Sequence, residues 1–398
     1  MLLSPEAQLL LLTAGTPPRA RAVRPMQSAD LDWSKLCSLA QREAAASIVT
    51  RELRRIGVRA PTGEGASRLH RLAMVSEFQM RQLEGVLHDT LDRFAQRGID
   101  VMLLKGSGLA HTVYASFPDR PMTDLDVLVR PERATEAWSL LQSQGWTWPS
   151  QQWPRDRYTT HQHLPPLLKP DAGGARLEIH ADLLPGGHPF RLAADAVWEQ
   201  ARPLFVNGRR CLAPHPLHQL WHVCVHFAWC HEMQWGAWRA LRDVAAIAHH
   251  GAIDWGAFVA LAIDTRAATC CFWTLRMTRD LVGAEIPEEA LEALRPPYTE
   301  FFLERLERHY VSQLFPSERS CPSVGLSRCL WEIGVAPRGS DHGTARPWHV
   351  SEPWISAAAR AAPRPHLLRR VRNQLGKLPA WFEYFRRITA SRVASRLA

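Results

Sequence analysis

Leu103-Leu104-Lys105-Gly106-Ser107-Gly108-Leu109 and, after a short span, Arg120-Pro121-Met122-Thr123-Asp124-Leu125-Asp126-Val127-Leu128-Val129 decide how this 398-residue chain is read. Ile99 to Leu104 is a short apolar run with glycine on both sides, Gly98 and Gly106, which fits a buried strand. Gly106 to Ala115 then reads as a short helix whose N-terminus faces the end of that strand. From Thr123 to Val129 the residues alternate, with Asp124, Asp126 and Leu128 on one face and Leu125, Val127 and Val129 on the other, as in a strand. Pro131 is placed to open the next helix, which stops at Gly145.

Working outward, Arg176 to Asp182 alternates again, setting Glu178, His180 and Asp182 against Leu177, Ile179 and Ala181. The Trp-, Pro- and Gln-rich stretch from 146 to 174 reads as irregular or as holding a short edge strand. Upstream, apolar residues from Leu31 to Leu53 recur at helical steps, predicting an amphipathic helix over residues 30–56. A second helical pattern runs from Leu69 to Phe94. The cluster Pro61-Thr62-Gly63 separates the two, and Gly98 ends the second. Downstream the pattern is helical over 216–230, 238–249, 255–263, 270–282, 287–294 and 300–314. A Pro-, Gly- and Ser-rich stretch from 316 to 353 reads as an extended loop, and two basic helical pieces follow over 366–375 and 379–397.

Strands interleaved with helices imply an α+β fold with a small α/β core. The expected organisation is a helical segment at 1–97 packed on a core at 98–200, then a helical domain at 201–315, the loop, and a basic helical tail from 354. The length suits more than one compact unit.

The net charge of +9 is unevenly distributed. Ten Lys and Arg between Arg360 and Ala398 face one acid, Glu383, so this segment alone accounts for it. A basic footprint spread over a folded face, as duplex recognition needs, is not indicated, and no specific duplex nucleic acid is expected as a partner. The tail either lies on an anionic surface or polyanion or packs on the body with solvated arginines. No apolar run reaches about 18 residues, so no membrane span is expected. The leucines at 9–12 follow Glu6 without a basic flank, unlike a signal peptide. A cytoplasmic location is the resulting expectation, and the eight scattered cysteines read as reduced thiols.

Phosphoryl transfer from a nucleoside triphosphate needs divalent cations between protein carboxylates and phosphate oxygens, which neutralise the in-line transition state. Aspartates at i and i+2 on a strand point the same way, so Asp124 and Asp126 can bind one or two Mg²⁺, with Mn²⁺ as a substitute. Glu178 on a further strand is the candidate third ligand, or the base that orients or deprotonates an attacking hydroxyl. Gly106 and Ser107, at a strand-to-helix junction, offer amides, a helix dipole and a hydroxyl to a phosphate. Lys105 and Arg120 are the nearby cations for the terminal phosphates, although Lys105 can equally serve only to end the strand. Asp-x-Asp alone, and Gly-Ser alone, commonly cap turns or sit in solvent. Their order along the chain, with Glu178 after them, is what carries the reading.

This ordered pattern resembles the DNA polymerase β-like nucleotidyltransferase superfamily. More closely, Leu104-Lys105-Gly106 with Leu109-Ala110 and Tyr114, Arg120, Asp124-Leu125-Asp126-Val127-Leu128-Val129, His163 and Leu177-Glu178-Ile179-His180 resemble an uncharacterised bacterial nucleotidyltransferase family. Weaker likeness reaches Arg242-Asp243-Val244-Ala245 and Ile253-Asp254-Trp255, so it spans roughly residues 30–300. The resemblance implies Mg²⁺-dependent transfer of an NMP unit from an NTP, ATP foremost, to an unidentified hydroxyl-bearing small molecule or protein. It also places His163 and His180 beside the carboxylates, to orient Glu178, to touch the acceptor, or simply to pack. Two departures are the sixteen residues between Ser107 and Asp124 and a glutamate rather than an aspartate at 178. The alternative is a catalytically inactive binding or regulatory module on the same fold.

His218, His222 and His226 recur at four-residue steps on one helix, a spacing that can hold zinc if another ligand arrives. Trp221, Val225 and Trp229 lie among them and no Cys-x-x-Cys exists, so packed histidines are the expected use. The tryptophans can stack bases, but their helical spacing favours core packing.

Overall fold

The computed structural model describes residues 2–15, 31–55, 57–58, 63–148, 158, 161–315, 320–337 and 378–390. Its centre is a mixed six-stranded sheet flanked by helices, an α+β fold. The strands are β1 (Met102–Leu103), β2 (Asp124–Leu128), β3 (Leu167–Lys169), β4 (Ala175–His180), β5 (Arg202–Val206) and β6 (Arg209–Ala213). Their order is β3-β4-β2-β1-β6-β5. β2 runs parallel to β4 and antiparallel to β1, while β6 runs parallel to β1.

The register between β2 and β4 pairs Asp124 with Arg176, Asp126 with Glu178 and Leu128 with His180. Strand alternation therefore puts all six on one sheet face. The opposite face carries Leu103, Leu125, Val127, Leu177 and Ile179, which share an apolar core with Leu87, Leu91 and Phe94 of helix Glu64–Gln96 and with Ala137, Trp138 and Leu141 of helix Pro131–Gln142. A second, larger core joins Met102, Leu104 and Leu128 to the N-terminal helices and to the helices after residue 216. The polar site thus lies between the sheet and that helical wall.

Several elements differ from the sequence expectation. The single helix over 30–56 is two, Trp33–Arg42 and Ala46–Arg55, because the chain turns at Ala44 with φ 54°. Residues 202–213, expected in a helical domain, form the β5–β6 hairpin and extend the sheet past residue 200. Its turn, Asn207-Gly208, has φ of 49° and 74°, the mirror-image turn that Asn-Gly favours. Helix Val324–Val335 occupies part of the expected loop; the Ser323 side chain caps its N-terminus, and Trp331 Nε1 donates to the Ala228 carbonyl. The edge strand expected within 146–174 is β3. Of the basic tail, helix Leu378–Ala390 is described, with Tyr384 buried against His309 and Ser312. The piece over 366–375, and Pro61 and Thr62 of the separator, lie outside the described residues. No described helix is long and apolar enough to cross a membrane.

Candidate active site

The segment from Leu104 to Ser107 is stitched to β2 at one residue. Leu104 N–H donates to the Asp126 carbonyl at 3.0 Å, and Asp126 N–H donates to Ser107 Oγ at 3.0 Å. Lys105 takes φ 45°, a left-handed conformation that lysine rarely adopts. It opens helix Lys105–Thr112, which has no side-chain cap, so its first amides are available to a ligand. This turn sends Lys105 Nζ to within 2.9 Å of Asp126 Oδ1.

Across β2 and β4 the acids meet. His180 Nε2 lies 2.9 Å from Asp126 Oδ1 and 3.7 Å from Glu178 Oε2. His163 Nε2 lies 3.4 Å from the same Glu178 oxygen, and Arg176 donates to Glu178 Oε1 at 2.6 Å. Among the described residues, the His, Cys, Asp and Glu side chains that gather three ligand atoms within 4.8 Å of one another are Asp126, Glu178 and His180. Asp124 stands two residues earlier on the same face and lines the same cavity.

That cavity measures about 520 Å³ and is lined on the sheet side by Lys105, Gly106, Asp124, Asp126, Arg176 and Glu178. The far wall comes from helix Pro216–Val225, the π-helical turn His226–Cys230 and helix Ala237–His250, which contribute Gln219, His222, His226 and Arg239, with His231 just after the π-helical turn. Sequence reading gave neither Arg176 nor Arg239 a role. Arg176 had a signal, since it precedes Glu178 by two on an alternating strand. Arg239 had none, because only the packing of its helix brings it across.

The charges respond to this crowding. Burial and the neighbouring Asp126 and Glu178 raise Asp124 from its ordinary 3.8 to about 6. Burial acts the same way on Asp126, but Lys105 and the His180 hydrogen bond outweigh it and hold Asp126 low. Glu178 is likewise held well below its ordinary value, against burial, by His180, His163, Lys105 and Arg176. Burial and Lys105 push His180 down, yet its contacts with Asp126 and Glu178 leave it raised. Burial lowers His163 to about 4 and His222 to about 3, so both are neutral imidazoles.

Two residues expected to grip phosphate are placed otherwise. Arg120 makes a bidentate pair with Asp243, Nε to Oδ1 and Nη2 to Oδ2, both 2.7 Å. Tyr114 Oη donates to the same Asp243 at 2.8 Å. A guanidinium buried this far needs a counter-charge, and Asp243 supplies it from the helical wall. Gly106 makes room for this, since a Cβ there would stand 3.0 Å from Arg120 Nη1. Ser107 is fully buried and its hydroxyl oxygen accepts from Asp126 N–H, so it sets the position of the acid. His218, His222 and His226 do not converge on one point. His218 packs beside His215 at 6.2 Å, whereas His222 and His226 face the cavity. His222 Nε2 is buried with no hydrogen-bond partner.

A family model described as an uncharacterised nucleotidyltransferase matches residues 29–283. No curated protein and no solved structure matches the chain.

Proposed function

The chain belongs to the uncharacterised nucleotidyltransferase family, and on that premise we propose that it transfers an NMP unit from an NTP, with ATP as donor, to a hydroxyl of a small-molecule or protein acceptor. The observation that carries this reading is the register of β2 against β4, which sets Asp126 beside Glu178, with Asp124 on the same face, at the floor of a cavity of nucleotide size.

Three carboxylates facing one cavity match the oxygen donors that a hard divalent cation requires. Asp124, Asp126 and Glu178 would hold Mg²⁺ or Mn²⁺, which when bound neutralises charge on the transferring phosphoryl group. The remaining work falls to the chain. Lys105 is poised to exchange its Asp126 contact for a phosphate oxygen, and the uncapped amides after Leu104 face the same anion. Arg120 keeps the floor rigid through Asp243, leaving phosphate contact to Lys105 and Arg176. Glu178 accepts the acceptor's hydroxyl proton, or orients that hydroxyl, as the acceptor oxygen bonds to the α-phosphorus. The bond from the α-phosphorus to its bridging oxygen breaks, and pyrophosphate leaves.

Replacing Asp124 and Asp126 together by Asn should abolish cation-dependent pyrophosphate release from NTP and acceptor mixtures while circular dichroism stays unchanged. Undiminished release by the folded double variant would overturn the proposal. The second reading is a nucleotide-binding module without turnover. The ion pairs from Lys105 to Asp126 and from Arg176 to Glu178, which already compensate two of the acids, favour it. It predicts NTP binding by calorimetry with no pyrophosphate release for any acceptor.

A further inference from the structure

We propose that His180 is itself a metal ligand, so that Asp126, Glu178 and His180 form a mixed nitrogen and oxygen site for a borderline divalent cation of the Zn²⁺ and Co²⁺ class. This rests on reading Asp126 and Glu178 as cation ligands and adds the imidazole to them.

The geometry of the two histidines carries the argument. His163 Nδ1 lies 2.7 Å from the Leu164 carbonyl, which can only accept, so the proton of that neutral ring sits on Nδ1. Its Nε2 lone pair then faces Glu178 Oε2 at 3.4 Å. His180 repeats the arrangement: Nδ1 faces the Asp182 carbonyl at 3.4 Å, and Nε2 faces Asp126 Oδ1 and Glu178 Oε2. Nε2 hydrogen-bonds to Asp126 Oδ1, which Lys105 Nζ also meets at 2.9 Å; a divalent cation entering among the three donors would take the place of that shared proton and of the ammonium. A backbone carbonyl behind Nδ1 is also how metal-binding imidazoles are held in the required tautomer. The ring is fully buried with no freedom to turn away, and all three donor atoms lie within 4.8 Å of one another. Three protein ligands beside an open cavity match a catalytic rather than a closed structural site.

Donor chemistry names the ion. Mg²⁺ favours oxygen donors and keeps its water, whereas imidazole nitrogen suits Zn²⁺ and its neighbours. Tighter Zn²⁺ than Mg²⁺ binding by the native chain would not by itself identify the imidazole, since most such sites follow that order. The discriminating quantity is the change when the nitrogen is removed.

The full chain, stripped with a chelator, is titrated calorimetrically with Zn²⁺, Co²⁺ and Mg²⁺ as the native protein and as His180→Asn. The expected result is a loss of tenfold or more in Zn²⁺ and Co²⁺ affinity, with less than a threefold change for Mg²⁺. Equal losses for all three ions, or none, would overturn the proposal. Should His180→Asn fail to fold, pulsed EPR of the native chain loaded with Mn²⁺ decides, an imidazole nitrogen coupling supporting the ligand and its absence refuting it. Mg²⁺-dependent pyrophosphate release by a variant that keeps its Zn²⁺ and Co²⁺ affinity would refute the imidazole ligand and leave nucleotidyl transfer standing. Failure of the native chain to bind any of the cations would remove both.

Discussion

Asp124 shows how much a single side chain owes to its neighbours. Its pKa of about 6, against an ordinary 3.8, means that the folded chain binds more protons than the unfolded one between those pH values. Its contribution to stability therefore falls as pH rises through that window, and above pH 6 the ionised carboxylate is a net cost. Asp124→Asn, stripped of metal, should be more stable than the native chain at pH 8, by on the order of 1–2 kcal/mol in thermal unfolding, and lose that lead toward pH 4. Glu178 has the opposite sign. Its pKa is depressed, so its stabilisation is present above the ordinary 4.5 and is lost as pH falls through the folded value. Glu178→Gln should thus destabilise the chain at pH 7, with a cost that fades on acidification; thermal unfolding from pH 3 to 8 separates the two behaviours. Both residues were named from strand alternation alone, whereas their unequal charge states depend on Lys105, His163, His180 and Arg176, which only the fold gathers.

At the scale of elements, the seam between β1, helix Lys105–Thr112 and β2 controls the site. A Cβ at Gly108 would fall on the Leu103 carbonyl oxygen, so the helix can approach β1 only with glycine there. Gly108→Ala should push the helix off the strand, cost about 2–3 kcal/mol in denaturant unfolding and weaken cation binding, since Ser107 and Lys105 both hold Asp126 through this helix. The strands and this helix were legible because alternation, flanking glycines and Pro131 are local signals. The β5–β6 hairpin also carried a local signal, the Asn207-Gly208 turn, and reading residues 201–315 as helical passed over it. The break at Ala44 had none, because the apolar spacing continues through it and only the docking of two separate helices requires the turn.

For the molecule as a whole, the helical wall closes the site. The Arg120 pair with Asp243 joins the segment before β2 to helix Ala237–His250. Arg120→Ala should cost about 3–5 kcal/mol by leaving Asp243 buried without a counter-charge, and Arg120→Met with Asp243→Leu should recover much of it in chemical denaturation. Trp238, on the same helix, is fully buried and donates through Nε1 to the Leu10 carbonyl at 3.0 Å. Trp238→Ala should lower stability by about 3–5 kcal/mol and expose helix Pro5–Leu12 to limited proteolysis.

By itself the sequence determined the elements at the centre of the sheet, the three acids and the turn before them, because strand period, glycine and proline act through neighbours a few residues away. Tertiary structure alone decided that Arg120 pairs with Asp243, that Ser107 supports a backbone amide, and that Arg239 crosses to the cavity. Those outcomes turn on which polar partner packing brings nearest in a buried space, and for Arg120 that partner lies 123 residues away along the chain.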